Sequence, residues 1–345
     1  MPEVEVAVVG AGIMGAATAW WLAGSGAEVV LLERFTVGHP RGSSHGRSRI
    51  FRLSYPDAAY VRMAQEALPL WRELEHEAGE PLLERGGGLD TGARLDEHER
   101  ALTGCGAACE LLDGEAVALR FPAVSLPPDG VALHQPDGAV IHAERAGRAL
   151  ARMAGSRGAR LREGLGVDAI TAEGGGVALR TAEGTLRARV AVVTAGGWAR
   201  DLLDAAGVDL PTVTTRETVA YFALDGPPPP TLVEWDGAGA HYALASPGEG
   251  LKAGVHLATL PVDPDTEPVV DERTVVRIAR WIAQRFPGAA PTAHRTETCL
   301  YTNTADQGFI LERHGPLVVG SACSGHGFKF APLIGRRLAA LALGR

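Results

Sequence analysis

The segment Gly10-Ala11-Gly12-Ile13-Met14-Gly15 spaces three glycines as a backbone must when its amides close around a diphosphate. Each glycine has its own task. Gly10 permits the tight turn, Gly12 lets the backbone approach the pyrophosphate, and Gly15 lets the next helix pack close to the preceding strand. The helix N-terminus supplies free N–H donors and partial positive charge. Glu33 is placed to accept hydrogen bonds from ribose hydroxyls. The chemistry on offer is that of a bound dinucleotide, and this motif alone does not separate FAD from NAD.

The flanking elements must hold that loop. Val4 to Val9 is a β-branched run, residues 16–23 are helical in pattern, Gly24-Ser25-Gly26 stops the helix, and residues 28–33 read as a second buried strand. A right-handed crossover would place the two strands side by side. A Gly/Ser/Arg-rich loop covers 42–49. Residues 60–77 read as a helix bent at Pro69, and 96–108 hold a small one. Residues 143–154 are helical. Strands at 177–180 and 185–189 flank a glycine turn, and 190–193 is an apolar strand ending in Thr194-Ala195-Gly196-Gly197-Trp198. Strands at 212–224 and 240–257 surround a proline loop at 227–230. Asp271 caps a helix over 271–285. The chain closes with a strand at 317–320, a glycine loop at 321–327 and a helix at 331–343. The expected fold class is α/β (α+β overall): a Rossmann-type cofactor domain assembled from 1–80, 143–210 and 295–345, interrupted by a β-rich substrate domain from 81–142 and 211–294.

Composition narrows the partners. Lys and Arg number 33 against 41 Asp and Glu, and the resulting charge of −8 argues against nucleic acid. No apolar run reaches roughly the eighteen residues of a membrane span. The start lacks the basic segment of a signal peptide, so the cytoplasm is the expected location. The four cysteines, 105, 109, 299 and 323, come without a partner set at zinc spacing, so no metal is expected. Unpaired thiols in a reducing compartment account for all but Cys299; Cys323 receives no role.

Further segments separate FAD from NAD by resemblance. Residues 193–198 resemble the strand-to-loop motif of the D-amino-acid-oxidase-like flavoproteins. Gly42-Ser43-Ser44-His45-Gly46-Arg47-Ser48-Arg49-Ile50-Phe51-Arg52 is similar to the flavin loop of the monomeric sarcosine oxidase and N-methyltryptophan oxidase family. Cys299-Leu300-Tyr301-Thr302 and Gly325-His326-Gly327-Phe328-Lys329-Phe330 are similar to two further stretches of that family. The four motifs occur in order over nearly the whole chain. The resemblance implies a two-domain flavoenzyme, a monomer, that oxidises a secondary (N-methyl or cyclic) or primary amino acid to an imine and reduces oxygen to hydrogen peroxide.

The same resemblance assigns individual positions. It implies FAD held by Gly10, Gly12, Ile13, Met14, Gly15, Glu33, Arg34, Ser43, Ser44, Arg49, Val167, Ala195, Gly196 and Trp198, and by Gly325, His326, Gly327, Phe328 and Lys329. It makes Cys299 the covalent attachment point, through a thioether to the flavin 8α-methyl group. Arg52 and Lys329 match the pair that holds the substrate carboxylate, a guanidinium fork beside an ammonium point charge. Lys252 matches the oxygen-activating lysine, Arg49 and His45 match positions beside the flavin, and His256 matches a histidine near the substrate. Tyr242 and Tyr301 would line the amine pocket. The sequence departs from the family in places: it stops at Arg345 without the longer tail, reads Ser44-His45 where two histidines are typical, has Ser48 for threonine, and lacks the aromatic and proline expected after Tyr242. Smaller residues there would reshape the substrate pocket. Rival readings are a flavin dehydrogenase serving a quinone or partner protein, a non-catalytic flavin binder, and an NAD-dependent dehydrogenase that would leave the later motifs unexplained.

Overall fold

The computed structural model describes residues 4–237, 239–256 and 260–345. Met1 to Glu3 and the expected strand end at Leu257 lie outside them. Val4–Val9 is the central strand of an eight-stranded sheet, parallel to Val29–Leu32 on one side and to Gly184–Val193 on the other. Its valines suit a strand buried on both faces. Leu317–Ser321 adds in parallel beside Gly184–Val193, and Arg160–Arg162 beside Val29–Leu32. The helices Ile13–Gly24, Ala143–Ser156 and Ala331–Leu343 share one core, built on Trp20, Leu150, Ile334 and Leu338. The first and last of them approach closely, since a Cβ on Gly335 would stand 2.6 Å from the Ala17 backbone.

The glycine loop shows why only glycine serves. Gly10 takes φ 93°, in the left-handed region, and a Cβ there would lie 2.8 Å from the Thr194 carbonyl oxygen. At Gly15 an added Cβ would sit 1.9 Å from the Gly10 carbonyl oxygen. Both obstacles are backbone or buried, so they yield only if helix and strand separate. Gly15→Ala is therefore expected to cost about 1–3 kcal/mol of overpacking. Lower denaturant midpoints and weaker cofactor retention after gel filtration would report it.

A second eight-stranded sheet runs Arg295–Asn303, Val213–Phe222, Gly250–His256, Ala240–Ser246, Thr231–Trp235, Gly88–Gly92, Val131–Gln135 and Glu110–Asp113. Helix Glu272–Arg285 covers one face, capped by the Asp271 carboxylate, which accepts from the Arg273 N–H. Leu251, Ala253 and Val255 enter the core beneath that helix. Because side chains alternate along a strand, Lys252 and His256 turn to the opposite face, where the cavity lies. A small sheet of Ser48–Phe51, Ala139–His142 and Leu83–Arg85 carries Arg49.

Several expectations need correction. Residues 295–303, assigned to the cofactor domain, form a strand of the second sheet paired with Val213–Phe222, so Cys299 projects from that sheet. Ser48 and Arg49 lie in a strand rather than a loop. Strands Val167–Glu173 and Thr231–Trp235 and helix Gly114–Arg120 were not foreseen. The described part of the expected strand, Ala240–Ser246 and Gly250–His256, is a hairpin, broken where Pro247, Gly248 and Gly250 turn the chain. The helix expected at 60–77 is present as Ala58–Ala78, with Pro69 inside it.

Candidate active site

One cavity of about 1000 Å³ extends from the glycine loop to the face of the second sheet. At its first end Gly12, with no side chain to cap it, precedes a helix whose first N–H, that of Ile13, donates to Ser44 Oγ at 3.0 Å. Glu33 is buried and held, accepting from the Ala11 N–H at 2.8 Å and the Phe35 N–H at 2.9 Å. Ile13, Met14, Arg34, Ser43, Val167, Ala195, Gly196 and Trp198 line the same stretch. Across it, Asp265 accepts from Trp198 Nε1 at 2.9 Å and pairs with Arg34 at 3.1 Å. The open amides, the glycine approach and the buried carboxylate fit a dinucleotide such as FAD.

The middle of the cavity carries the flavin-loop residues. Arg49 spends its donors on backbone: it donates to the carbonyls of Ser43 at 2.8 Å, His45 at 2.7 Å and Ser48 at 2.9 Å. Its guanidinium lies over the Phe328 ring. Arg49 thus pins the loop as well as charging the wall. Cys299 lines the wall, its thiol pushed up by burial and drawn back by Arg49 and Lys252. Lys252 is buried, donates to the Ser48 carbonyl at 3.4 Å, and is pushed down to about 7 by burial and then by Arg49. At neutral pH it sits near the balance between charged and neutral forms.

At the far end Arg52 and Lys329 are both buried. Arg52 donates to the Ser54 carbonyl, stacks over Tyr55 at 4.1 Å, and faces the Asp90 carboxylate at 3.8 Å. Lys329 donates to Tyr55 Oη at 2.8 Å and to the His326 carbonyl at 2.6 Å. Among the described residues no carboxylate pairs with Lys329, and burial followed by Arg52 holds its ammonium well below the usual range. A buried ammonium without a counter-ion is a place for an anion. Tyr242, Tyr301 and His256 line the same end; His256 is held at about 4, by burial and then by Arg52 and Lys329, so it is neutral at pH 7.

Two expected residues do not reach the cavity wall. Gly15 acts through packing. His45 is buried with Nε2 lacking a partner among the described residues, and burial together with Arg49 and Lys252 pushes it down to about 3. It enters the site through its carbonyl, which anchors Arg49. Sequence reasoning missed Tyr55, Trp235 and Cys323, which line the cavity, and Asp90, which lies behind Arg52. Tyr55 had a signal in its position just past Arg52. Asp90 and Trp235 had none, because distant strands bring them in. Among the described residues no helix is long and apolar enough to cross a membrane, and no acidic, histidine or cysteine cluster could hold a metal.

A fold with this cavity defines a flavin-dependent oxidoreductase, and the chain belongs to the FAD dependent oxidoreductase family, whose model matches residues 5–341. Within that family it is similar to human peroxisomal sarcosine oxidase, 34% identical over 98% of this chain and 92% of that protein. It is similar also to monomeric sarcosine oxidase of Bacillus sp. (strain B-0618), 31% identical over 98% of this chain and 92% of that one. Among solved structures it resembles NikD, described as an unusual amino acid oxidase essential for nikkomycin biosynthesis. That match has a TM-score of 0.90 at 30% identity and covers 99% of this chain and 94% of NikD.

Proposed function

We propose that this enzyme oxidises the C–N bond of a small amino acid, secondary (N-methyl or cyclic) or primary, to an imine, with oxygen reduced to hydrogen peroxide. The observation that carries the reading is the pair of buried cations, Arg52 and Lys329, at the end of a dinucleotide cavity, one of them without a carboxylate partner among the described residues. FAD, when bound, supplies the two-electron chemistry that joins amine oxidation to oxygen reduction. Arg52 offers a fork and Lys329 a point charge to the substrate carboxylate, which fixes the α-carbon relative to the cofactor. Tyr242, Tyr301 and the neutral His256 enclose the amine end and exclude water. No side chain need act as a general base there, because the amine has only to lose its proton on entering a dry, cationic pocket. Lys252 sets a positive charge beside Ser48, where it favours charge developing on oxygen. A monomer acting in the cytoplasm is part of the same proposal. Oxygen uptake with amino acids set against their decarboxylated amines tests it: the acids should be consumed and the amines left untouched.

Covalent attachment through Cys299 is a second element of the proposal. Burial pushes the Cys299 thiol up, and Arg49 and Lys252 draw it back toward the thiolate that would attack. Joining its sulfur to the 8α-methyl carbon would replace a methyl C–H bond and leave the flavin reduced by two electrons, which oxygen, the proposed acceptor, would take. Acid precipitation should leave the flavin on the wild-type chain and release all of it from Cys299→Ser. Release from both proteins would remove this element and leave the oxidase reading in place.

A further inference from the structure

The two cations that receive the carboxylate are themselves held by a single side chain. Tyr55 is buried, its ring lies under the Arg52 guanidinium at 4.1 Å, and its hydroxyl accepts from Lys329 Nζ at 2.8 Å. The same hydroxyl lies 3.2 Å from His326 Nδ1, while His326 Nε2 lies 2.9 Å from the Gln307 carbonyl oxygen. A carbonyl only accepts, so Nε2 carries the proton. His326 is pushed down to about 3 by burial and then by Lys329, so the ring is neutral and Nδ1 is a bare acceptor. Tyr55 must therefore donate its one proton to His326, and its lone pairs turn to Lys329. The order of donors is fixed along the whole chain: Lys329 to Tyr55, Tyr55 to His326, His326 to the Gln307 carbonyl.

We propose that Tyr55 is a positioning residue of the carboxylate site, holding Arg52 on its ring and Lys329 on its hydroxyl, with His326 fixing the direction of that hydroxyl. The inference rests on the carboxylate-binding reading above and deepens it. It explains how two like charges stay aimed at one place. Arg52 has Asp90 behind it, but Lys329 has only neutral acceptors among the described residues, and the ammonium is free to rotate unless one acceptor is rigid. Tyr55 is rigid because its ring is packed near Tyr60 at 5.1 Å and Phe330 at 5.9 Å. The Lys329 backbone is tied as well, its carbonyl accepting from Trp71 Nε1 at 2.7 Å.

The test uses the flavin-loaded enzyme and a carboxylate that cannot be oxidised at a C–N bond, tetrahydrofuran-2-carboxylate, beside its neutral carboxamide. Calorimetry should show the wild type binding the acid and not the amide. Tyr55→Phe keeps the ring beneath Arg52 and removes the acceptor of Lys329. A hydrogen bond to a charged group is lost, so acid affinity should fall about tenfold to a hundredfold. With an oxidisable amino acid the same variant should raise KM by a similar factor and hold kcat within about threefold. Tyr55→Leu, which also strips the ring from Arg52, should weaken the acid further; should it fail to fold, the phenylalanine variant still decides. Acid affinity in Tyr55→Phe within threefold of wild type would overturn the assignment and leave the carboxylate site standing. A wild type that binds acid and amide alike would overturn both.

Discussion

Replacing Arg52 with Gln is expected to lower kcat/KM for an amino acid by roughly a hundredfold or more. Truncating one partner of a buried, hydrogen-bonded charge pair costs about 2–5 kcal/mol, and each 1.4 kcal/mol is tenfold. Two losses combine here. The substrate carboxylate loses its fork, and Asp90 loses the cation facing it while still accepting from Trp235 Nε1 at 3.0 Å and Gln135 Nε2 at 3.0 Å. The second loss bears on folding, so a lowered denaturation midpoint should accompany the kinetic change. Arg52→Lys separates the two: it restores charge opposite Asp90 and hence stability, while the fork and the stack on Tyr55 stay lost. Its kcat/KM should remain at least tenfold below wild type. Full activity in the lysine variant would mean that charge alone, without geometry, holds the substrate.

Lys252→Met carries the second large effect, on a different half of the reaction. Removing a single preorganised charge beside a developing anion costs about 10²–10³-fold in rate. The reaction of the reduced enzyme with oxygen should slow by that factor, while anaerobic reduction by substrate changes little. The wild-type pH dependence follows from the depressed lysine. Burial and Arg49 bring it to about 7, so the ammonium is present below that pH and lost above it. The oxygen rate constant should therefore fall as pH rises through about 7, and the fall should vanish in Lys252→Met. Stopped-flow mixing of the reduced proteins with oxygenated buffers measures both. An unchanged oxygen rate in the methionine variant would take the lysine out of the mechanism.

The parts of the site that could be read from sequence are those in which chemistry and chain are local. Gly10, Gly12, Gly15 and Glu33 belong to one β–α–β unit, and the backbone around Gly10 and Gly15 permits nothing larger. The last strand, loop and helix were legible for the same reason, and Lys329 and His326 came with them. What escaped depends on pairing between distant segments. Asp90 and Trp235 lie on the adjacent parallel strands Gly88–Gly92 and Thr231–Trp235, separated by well over a hundred residues of chain. No local pattern marks a carboxylate that will face Arg52. The strand of Cys299 joined the second sheet through its register with Val213–Phe222, again a long-range choice. His45 is a different case: it is buried off the cavity wall, and its carbonyl accepts from Arg49. Tyr55 stood three positions past Arg52 and was overlooked because nothing in the segment showed that Lys329 would fold onto it.

In the proposed reaction an amino acid reduces the bound flavin of this enzyme and oxygen takes the electrons back. Anaerobic mixing of the purified enzyme with a panel of N-methyl, cyclic and primary amino acids, followed in flavin absorbance, tests it most directly. At least one of them should bleach the flavin, and admitting air should restore the colour with one equivalent of hydrogen peroxide. A flavin that dithionite bleaches but no amino acid does, or one that substrate bleaches but air does not restore, would contradict it.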